Sequence, residues 1–415
     1  MSFWKNVHAA AAAPTMMKIG VQRFTVAMLK HCTPVHFHGN LFCLCSAAAL
    51  LIACGKIVDP LDTDDYGLTK IEFTLTSEYL GILNSMVFAR REVPARVEIA
   101  GERRKIFVRY SGQTSLGQLK KSYTIEFADG ELFRGHREYV ISAQNGDPTK
   151  LNAPLGFWAF RQAGLMASEV EPAAVYLNGA YQGLYYLIEP VDEDFLKIRQ
   201  RRLGSLYEAF NGQFNGAHFS FAGGYDVRLG FESKGEREEF YGDLERLIQI
   251  LDASTPENLP ARIEPLLDVE NYLRYLAVSV LLHNWDGYFN NLRLHLDPQI
   301  GKFQVIPWDL DNILEFREGR SRIEGANELS EKLLQVPAYR QRYKQILLEL
   351  MDEKLTVASL DLLIDDTAAK IARAYAADRF LTAPGSKPLV EHVAAAKQFI
   401  RDWYAKIRGE LMKFD

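Results

Sequence analysis

The run His283-Asn284-Trp285-Asp286-Gly287-Tyr288-Phe289-Asn290-Asn291 is followed by Leu292-Arg293-Leu294-His295-Leu296-Asp297. Then come Pro298-Gln299-Ile300-Gly301, Lys302-Phe303-Gln304-Val305-Ile306 and Pro307-Trp308-Asp309-Leu310-Asp311-Asn312. Two strand-like segments flanking a Pro/Gly turn predict a hairpin. A turn centred near Gln299 and Ile300 sets Asn291 opposite Trp308 and Asn290 opposite Asp309. Asp286 stops the preceding helix and has only a few residues of slack, so it must lie close by. Three carboxylates (Asp286, Asp309, Asp311) and two carboxamides (Asn290, Asn291) thus converge at the open end of the hairpin.

Carboxylates packed together repel unless something positive sits among them. A hard divalent cation is the usual remedy, and Mg²⁺ takes a few carboxylates together with phosphate oxygens and water. No His–His or Cys spacing competes for zinc. The set permits metal-assisted phosphoryl transfer, in which one Asp orients or deprotonates an acceptor hydroxyl and another Asp with an Asn holds the metal. Taken singly, Asp286, Asn290 or Asp311 reads better as a helix or turn cap. It is their convergence that favours a metal site. His283 and His295 read as structural.

Outward from this stretch, apolar spacing predicts a helix over residues 269–282, with Leu273, Leu276, Ala277, Val280 and Leu281 in one stripe and Asp268 as its cap. Another helix is predicted over 236–251. Residues 328–413 read as almost wholly helical, interrupted near 384–388. Upstream the pattern is β-like, at 71–75, 95–99, 105–110, 123–127, 174–177 and 183–188, with Asn178-Gly179 as a hairpin turn and one helical stretch near 157–167. The fold class expected is α+β: a sheet-rich lobe over 69–190 and a helix-rich lobe over 191–415 containing the hairpin at 283–312.

The chain has 415 residues and a formal net charge of −5, which gives no sign of a general nucleic-acid binder. All four cysteines, Cys32, Cys43, Cys45 and Cys54, precede the predicted lobes, so neither a disulfide framework nor a cysteine zinc site belongs to them. Residues 41–53 are uncharged and fit the apolar core of a signal peptide. They run into Leu51-Ile52-Ala53-Cys54-Gly55, which looks like a bacterial lipoprotein cleavage box, with Cys54 as the lipidated residue. Residues 1–53 are therefore read as a leader, of which 1–27 is an over-extended start, and 54–68 as the lipidated cysteine and its tether. The expected location is the bacterial cell envelope, attached to the membrane through the N-terminal lipid.

Asn284-Trp-Asp-Gly-Tyr-Phe-Asn-Asn-Leu292 followed by Val305-Ile-Pro-Trp-Asp-Leu-Asp311 resembles the signature of the CotH kinase family. Three further segments agree in order. Val108-Arg-Tyr-Ser-Gly-Gln-Thr-Ser115 with Lys120-Lys-Ser-Tyr-Thr-Ile-Glu-Phe127 resembles the family's glycine/serine turn and lysine strand. Residues 140–147 resemble the next strand and loop, and residues 176–191 the central hairpin. The family is similar to a diverged, atypical protein kinase, so the resemblance implies a two-lobed kinase-like fold. It also implies ATP, Mg²⁺ or Mn²⁺, and a protein acceptor phosphorylated on Ser or Thr. Asp286 would orient the acceptor hydroxyl, and Asn290 or Asn291 with Asp309 would bind metal, with Asp311 a weaker candidate. Lys121 or Lys120 would hold the nucleotide phosphates. Lys121 is preferred because it shares a strand face with Tyr123 and Ile125. Gly112, Thr114 and Ser115 offer backbone N–H groups and hydroxyls to phosphate. Glu189 would either pair with the lysine or simply end a strand. The sequence departs from the family where Ser111-Gly112 replaces an Arg-Gly pair and where Lys150-Leu151-Asn152 replaces an expected arginine. A surface scaffold that keeps the fold without turnover is the competing reading, and a calcium-stabilised envelope protein handling polysaccharide is a third.

Overall fold

Seven strands rich in β-branched and aromatic residues open the computed structural model: β1 (Thr69–Thr74), β2 (Val93–Ile99), β3 (Glu102–Ser111), β4 (Ser122–Phe127), β5 (Glu138–Ser142), β6 (Val170–Leu177) and β7 (Ala180–Ile188). The structure describes residues 64–210, 216–237, 239–315 and 322–414. The leader, Cys54 and most of the tether lie outside the described residues.

Antiparallel pairing carries the sheet from β1 through β5 to β7 and β6, and a parallel pairing of β1 with β6 closes it into a barrel. Period-two alternation then decides which side chains fill the interior. Phe73, Val97, Val108, Tyr110, Tyr123, Ile125, Ile141 and Tyr185 are buried together there. Their neighbours Arg109, Ser122 and Thr124 point the other way, to a cleft on the barrel's outer wall.

Helices and a second sheet make up the rest. α1 (Ser77–Ser85) follows β1, and α2 (Asn152–Gln162) lies between β5 and β6. α3 (Glu193–Ile198), α4 (Gly242–Asp252), α5 (Leu259–Ile263) and α6 (Val269–Leu281) come next, then α7 (Glu328–Leu334), α8 (Pro337–Glu349), α9 (Val357–Ala377) and α10 (Leu389–Leu411). β8 (Ser205–Ala209), β9 (Phe231–Ser233), β10 (Leu292–Asp297) and β11 (Lys302–Pro307) form a four-stranded sheet in the order β11-β10-β8-β9. A second apolar core joins α2, α4, α6 and α8–α10 to this sheet and to Leu184, Tyr186 and Ile188 of β7. The class is α+β, as the sequence pattern predicts. No helix among the described residues is long and apolar enough to cross a membrane.

Two boundaries and one helix differ from the sequence expectation. The predicted helix at 236–251 begins only at Gly242, because Lys234 and Glu236 donate backbone N–H groups to Leu206 and Gly204 and extend the sheet edge instead. The stretch read as helical at 157–167 is α2, five residues earlier at its start. Asp147 Oδ2 accepts from the Asn152 N–H at 2.9 Å there, and Gly164 at φ +83° ends the run. α1, which Thr76 caps at 3.3 Å, was not expected.

Candidate active site

α6 is nearly all apolar, and its burial fixes where Asp286 falls. Asp268 caps its first turn by accepting from the Asn271 N–H at 3.1 Å, and Trp403 Nε1 donates to the Val280 carbonyl near its end. The chain then turns through His283 at φ +53° into a short 3-10 turn, Asp286–Tyr288. Tyr275 of α6 donates to the Gly287 carbonyl at 2.7 Å and so ties the turn to the helix.

The hairpin pairs Leu292 with Pro307 and Asp297 with Lys302. The Trp308 N–H donates to the Asn291 carbonyl at 2.9 Å, the register that the turn at 298–301 predicts. At the open end Asn290 Nδ2 donates to Asp286 Oδ1 at 2.8 Å, and Asn291 Nδ2 donates to Asp286 Oδ2 at 2.9 Å. Each carboxylate oxygen has two acceptor directions, so the aspartate is held from both sides while keeping lone pairs open. Asn290 Oδ1 is buried without a hydrogen-bond partner.

Asp309 sits at φ +49°, a conformation that suits Asp and Asn better than most residues. Its side chain is exposed along the cleft. Loss of bulk water, then the charges of Asp286 and Glu208, push it up to about 6 against the pull of Arg293. Asp311 is raised well above the carboxylate range by burial and by Asp309, although the Gly146 N–H donates to its Oδ2 at 3.0 Å. Among the described residues, no three His, Asp or Glu side chains are grouped tightly enough to enclose an ion. The residues therefore fit a cation held partly by Asp309, Asp311 or Asn290 and partly by phosphate and water, not a closed protein cage.

These groups line a cleft of about 1060 Å³ between the barrel wall and the hairpin. Gly112 and Ser115 face it from the barrel side. Gly112 has φ +105°, and a Cβ there would meet Ser115 Oγ at 2.0 Å, so the turn requires glycine. Thr114 begins the 3-10 turn Thr114–Gly117. Across the cleft, Asn152 Nδ2 donates to the Asp311 and Ile313 carbonyls at 2.8 and 3.1 Å, fastening the start of α2 to the loop that carries Asp311.

The lysines lie elsewhere. Lys121 shares the Tyr123 and Ile125 face, as the alternation argument says, but that face is the barrel interior, not the cleft. Its ammonium donates to the Leu116 carbonyl at 2.5 Å. Lys120 is 4% exposed and donates to Asp378 Oδ2 at 2.6 Å and the Leu184 carbonyl at 2.7 Å. Glu189 meets neither lysine. Arg199 grips it with two bonds of 2.7 Å, and His136 Nε2 lies 3.0 Å away. Burial alone would raise the Glu189 pKa, but these donors outweigh it and bring it to about 2. The stabilisation is present above the unfolded value near 4.5 and is lost as pH falls through about 2. Glu189→Gln should therefore cost about 1–3 kcal/mol at pH 7, with the gap from the native chain closing below pH 4.5, as read by urea unfolding at a series of pH values.

Cations that the sequence reading did not place in the site are present. Arg293, 7% exposed, lines the cleft with its guanidinium 4.2 Å from the Trp308 ring centroid. It donates to Glu208 at 3.0 Å and to the Val191 carbonyl at 3.1 Å, while its Nε is buried without a partner. The signal was in the strand period: Arg293 shares a face with Asn291. Lys150 is a second buried cation, donating to the Ala143 and Gln144 carbonyls at 3.0 and 2.5 Å behind Asp311. Burial lowers its pKa, and Asp147, Asp378 and Asp311 oppose that.

The described residues thus form a mixed α+β fold with a cleft in which Asp286, fixed by two carboxamides, shares the lining with Asp309 and Asp311. Comparison with known proteins agrees with the family resemblance. The family model described as CotH kinase protein matches residues 108–408, more than half of the chain, and the chain belongs to that family. It is 30% identical over 284 residues to the inner spore coat protein H of Bacillus subtilis (strain 168), covering 65% of this chain and 77% of the relative. An inner spore coat protein H-like protein of the same organism is 22% identical over 63% of this chain and 76% of its own length. Among solved structures, a Shewanella oneidensis MR-1 toxin–antitoxin complex of HipA, HipB and operator DNA matches at 14% identity and TM-score 0.31. That match covers 67% of this chain and 59% of the solved one, and it is too loose to bear on the fold.

Proposed function

We propose that the chain is an ATP-dependent phosphotransferase acting on Ser or Thr hydroxyls of a protein acceptor with Mg²⁺ or Mn²⁺. In this reading the barrel and the helix-rich half are the two lobes of a kinase-like arrangement, with the cleft between them. The observation that carries it is Asp286, held at both oxygens by Asn290 and Asn291 beside the raised Asp309. Asp286 accepts the proton as the acceptor oxygen bonds to the terminal phosphorus and the bond to the bridging oxygen breaks. Asp309, Asp311 and the free Asn290 Oδ1 are the groups that would hold the cation, which when bound offsets charge on the phosphates. Arg293, with its unpartnered Nε, takes the phosphate-facing role that the resemblance gave to Lys121 or Lys120. The Gly112 turn covers the phosphates from the barrel side.

The engaged lysines favour a second reading, a family member that binds in the cleft without turnover. Labelled ATP supplied to the full chain with Mg²⁺ or Mn²⁺ and a mixture of envelope proteins separates the two. Metal-dependent label on protein, lost in Asp286→Asn, supports transfer. No ATP binding by the native chain removes it.

The lipobox-like Cys54 and the coat-protein names of the relatives support an envelope location. Cys54→Ser should move the chain from the membrane fraction to the soluble one, and an unchanged distribution would refute the anchor.

A further inference from the structure

We propose that the open end of the barrel is a second ligand site, separate from the cleft, that takes a phosphate-type oxyanion. A cavity of about 230 Å³ opens there, closed on one side by α1 and on another by the turn after α9. Barrel mouths are common ligand positions, since strand ends leave interior side chains uncovered. Its walls include Tyr110, Tyr123 and Tyr185 and the cations Lys120, Lys121 and Arg379.

The charges there do not cancel. Asp378, fully buried, answers Lys120 and accepts from the Leu184 and Phe380 N–H groups at 2.9 Å each. Lys121 meets a carbonyl oxygen and the face of Tyr110, 5.9 Å from its centroid, and Arg379 meets the face of Phe380, 4.8 Å from its centroid. Neither cation pairs with a carboxylate. The hydroxyls of Tyr123 and Tyr185 make no hydrogen bond to a described group, whereas that of Tyr110 donates to Asn84 Oδ1 at 2.7 Å. Two uncompensated cations and two spare phenolic donors around a small recess match a tetrahedral anion, which accepts several charge-assisted bonds at once. β4 separates this recess from the cleft, because Ser122 and Thr124 face one and Lys121 and Tyr123 the other.

The site does not depend on phosphoryl transfer. The test is titration of the full chain with inorganic phosphate, read by calorimetry at constant ionic strength, with phenyl phosphate as the probe for an organic phosphomonoester. The double variant Lys121→Gln/Arg379→Gln should bind at least about tenfold more weakly than the native chain. Both replaced side chains reach solvent, and an unchanged thermal midpoint shows that the variant is folded. Tighter binding of phenyl phosphate assigns the site to an esterified ligand, and equal or weaker binding assigns it to the free ion. Absence of phosphate binding to the native chain at millimolar concentration overturns the proposal, as does equal binding by the double variant.

Discussion

Asp286→Asn is expected to lower kcat for phosphoryl transfer by about 10²–10⁴-fold, the usual range for removing a positioned proton acceptor. The change is nearly isosteric but chemically one-sided. Asn290 and Asn291 each donate an N–H to Asp286, and an asparagine there has one oxygen to offer and an amide that faces the other donor. The loss should appear in kcat, with KM for ATP little altered, because in the proposed reaction the side chain meets the acceptor and not the nucleotide. Arg293→Lys should give the opposite split, raising KM for ATP about tenfold, since a point charge cannot reproduce the guanidinium fork. An Asp286→Asn enzyme retaining more than about a tenth of native turnover would remove the residue from the path of the proton.

Asp378→Asn is expected to cost about 3–5 kcal/mol of stability, because it leaves the Lys120 ammonium buried without its counter-charge. Burial already pulls Lys120 down to about 8 against the attraction of Asp378. The aspartate also fills a tight place, since a Cβ on Gly183 would lie 2.3 Å from its Oδ2. Lys120→Met combined with Asp378→Asn should recover more than half of the loss by removing the stranded charge. Urea unfolding of the three chains measures it, and a single variant within about 1 kcal/mol of native would show the pair to be a bystander.

Local signals were legible in the sequence. The hairpin register followed from Pro298 to Gly301 and from alternation, so the pairing of Asn291 with Trp308 came out as expected. The Asp268 cap and the α6 stripe were equally plain. Features that depend on distant partners were not. The β1–β6 pairing joins Ile71 to Val175, and the Lys120–Asp378 bond joins the turn before β4 to the turn after α9. Neither leaves a periodic trace. Alternation correctly grouped Lys121 with Tyr123, but only barrel closure decides that this face is the interior. Glu189 could not be assigned for the same reason: its partners His136 and Arg199 come from other segments. Arg293 was readable, because strand period puts it beside Asn291.

The ring of strands has a consequence for crowding. An exposed strand edge invites a neighbouring copy to add its own backbone, and a closed barrel has no such edge. The smaller sheet is guarded too. One border is β9, three residues long, and the other is β11, where Phe303 exchanges hydrogen bonds with Leu266 and Asp268 and the Val305 N–H donates to Asn271 Oδ1 at 2.7 Å. Among the described residues, growth into fibres by strand addition thus has only the short border of β9 to start from.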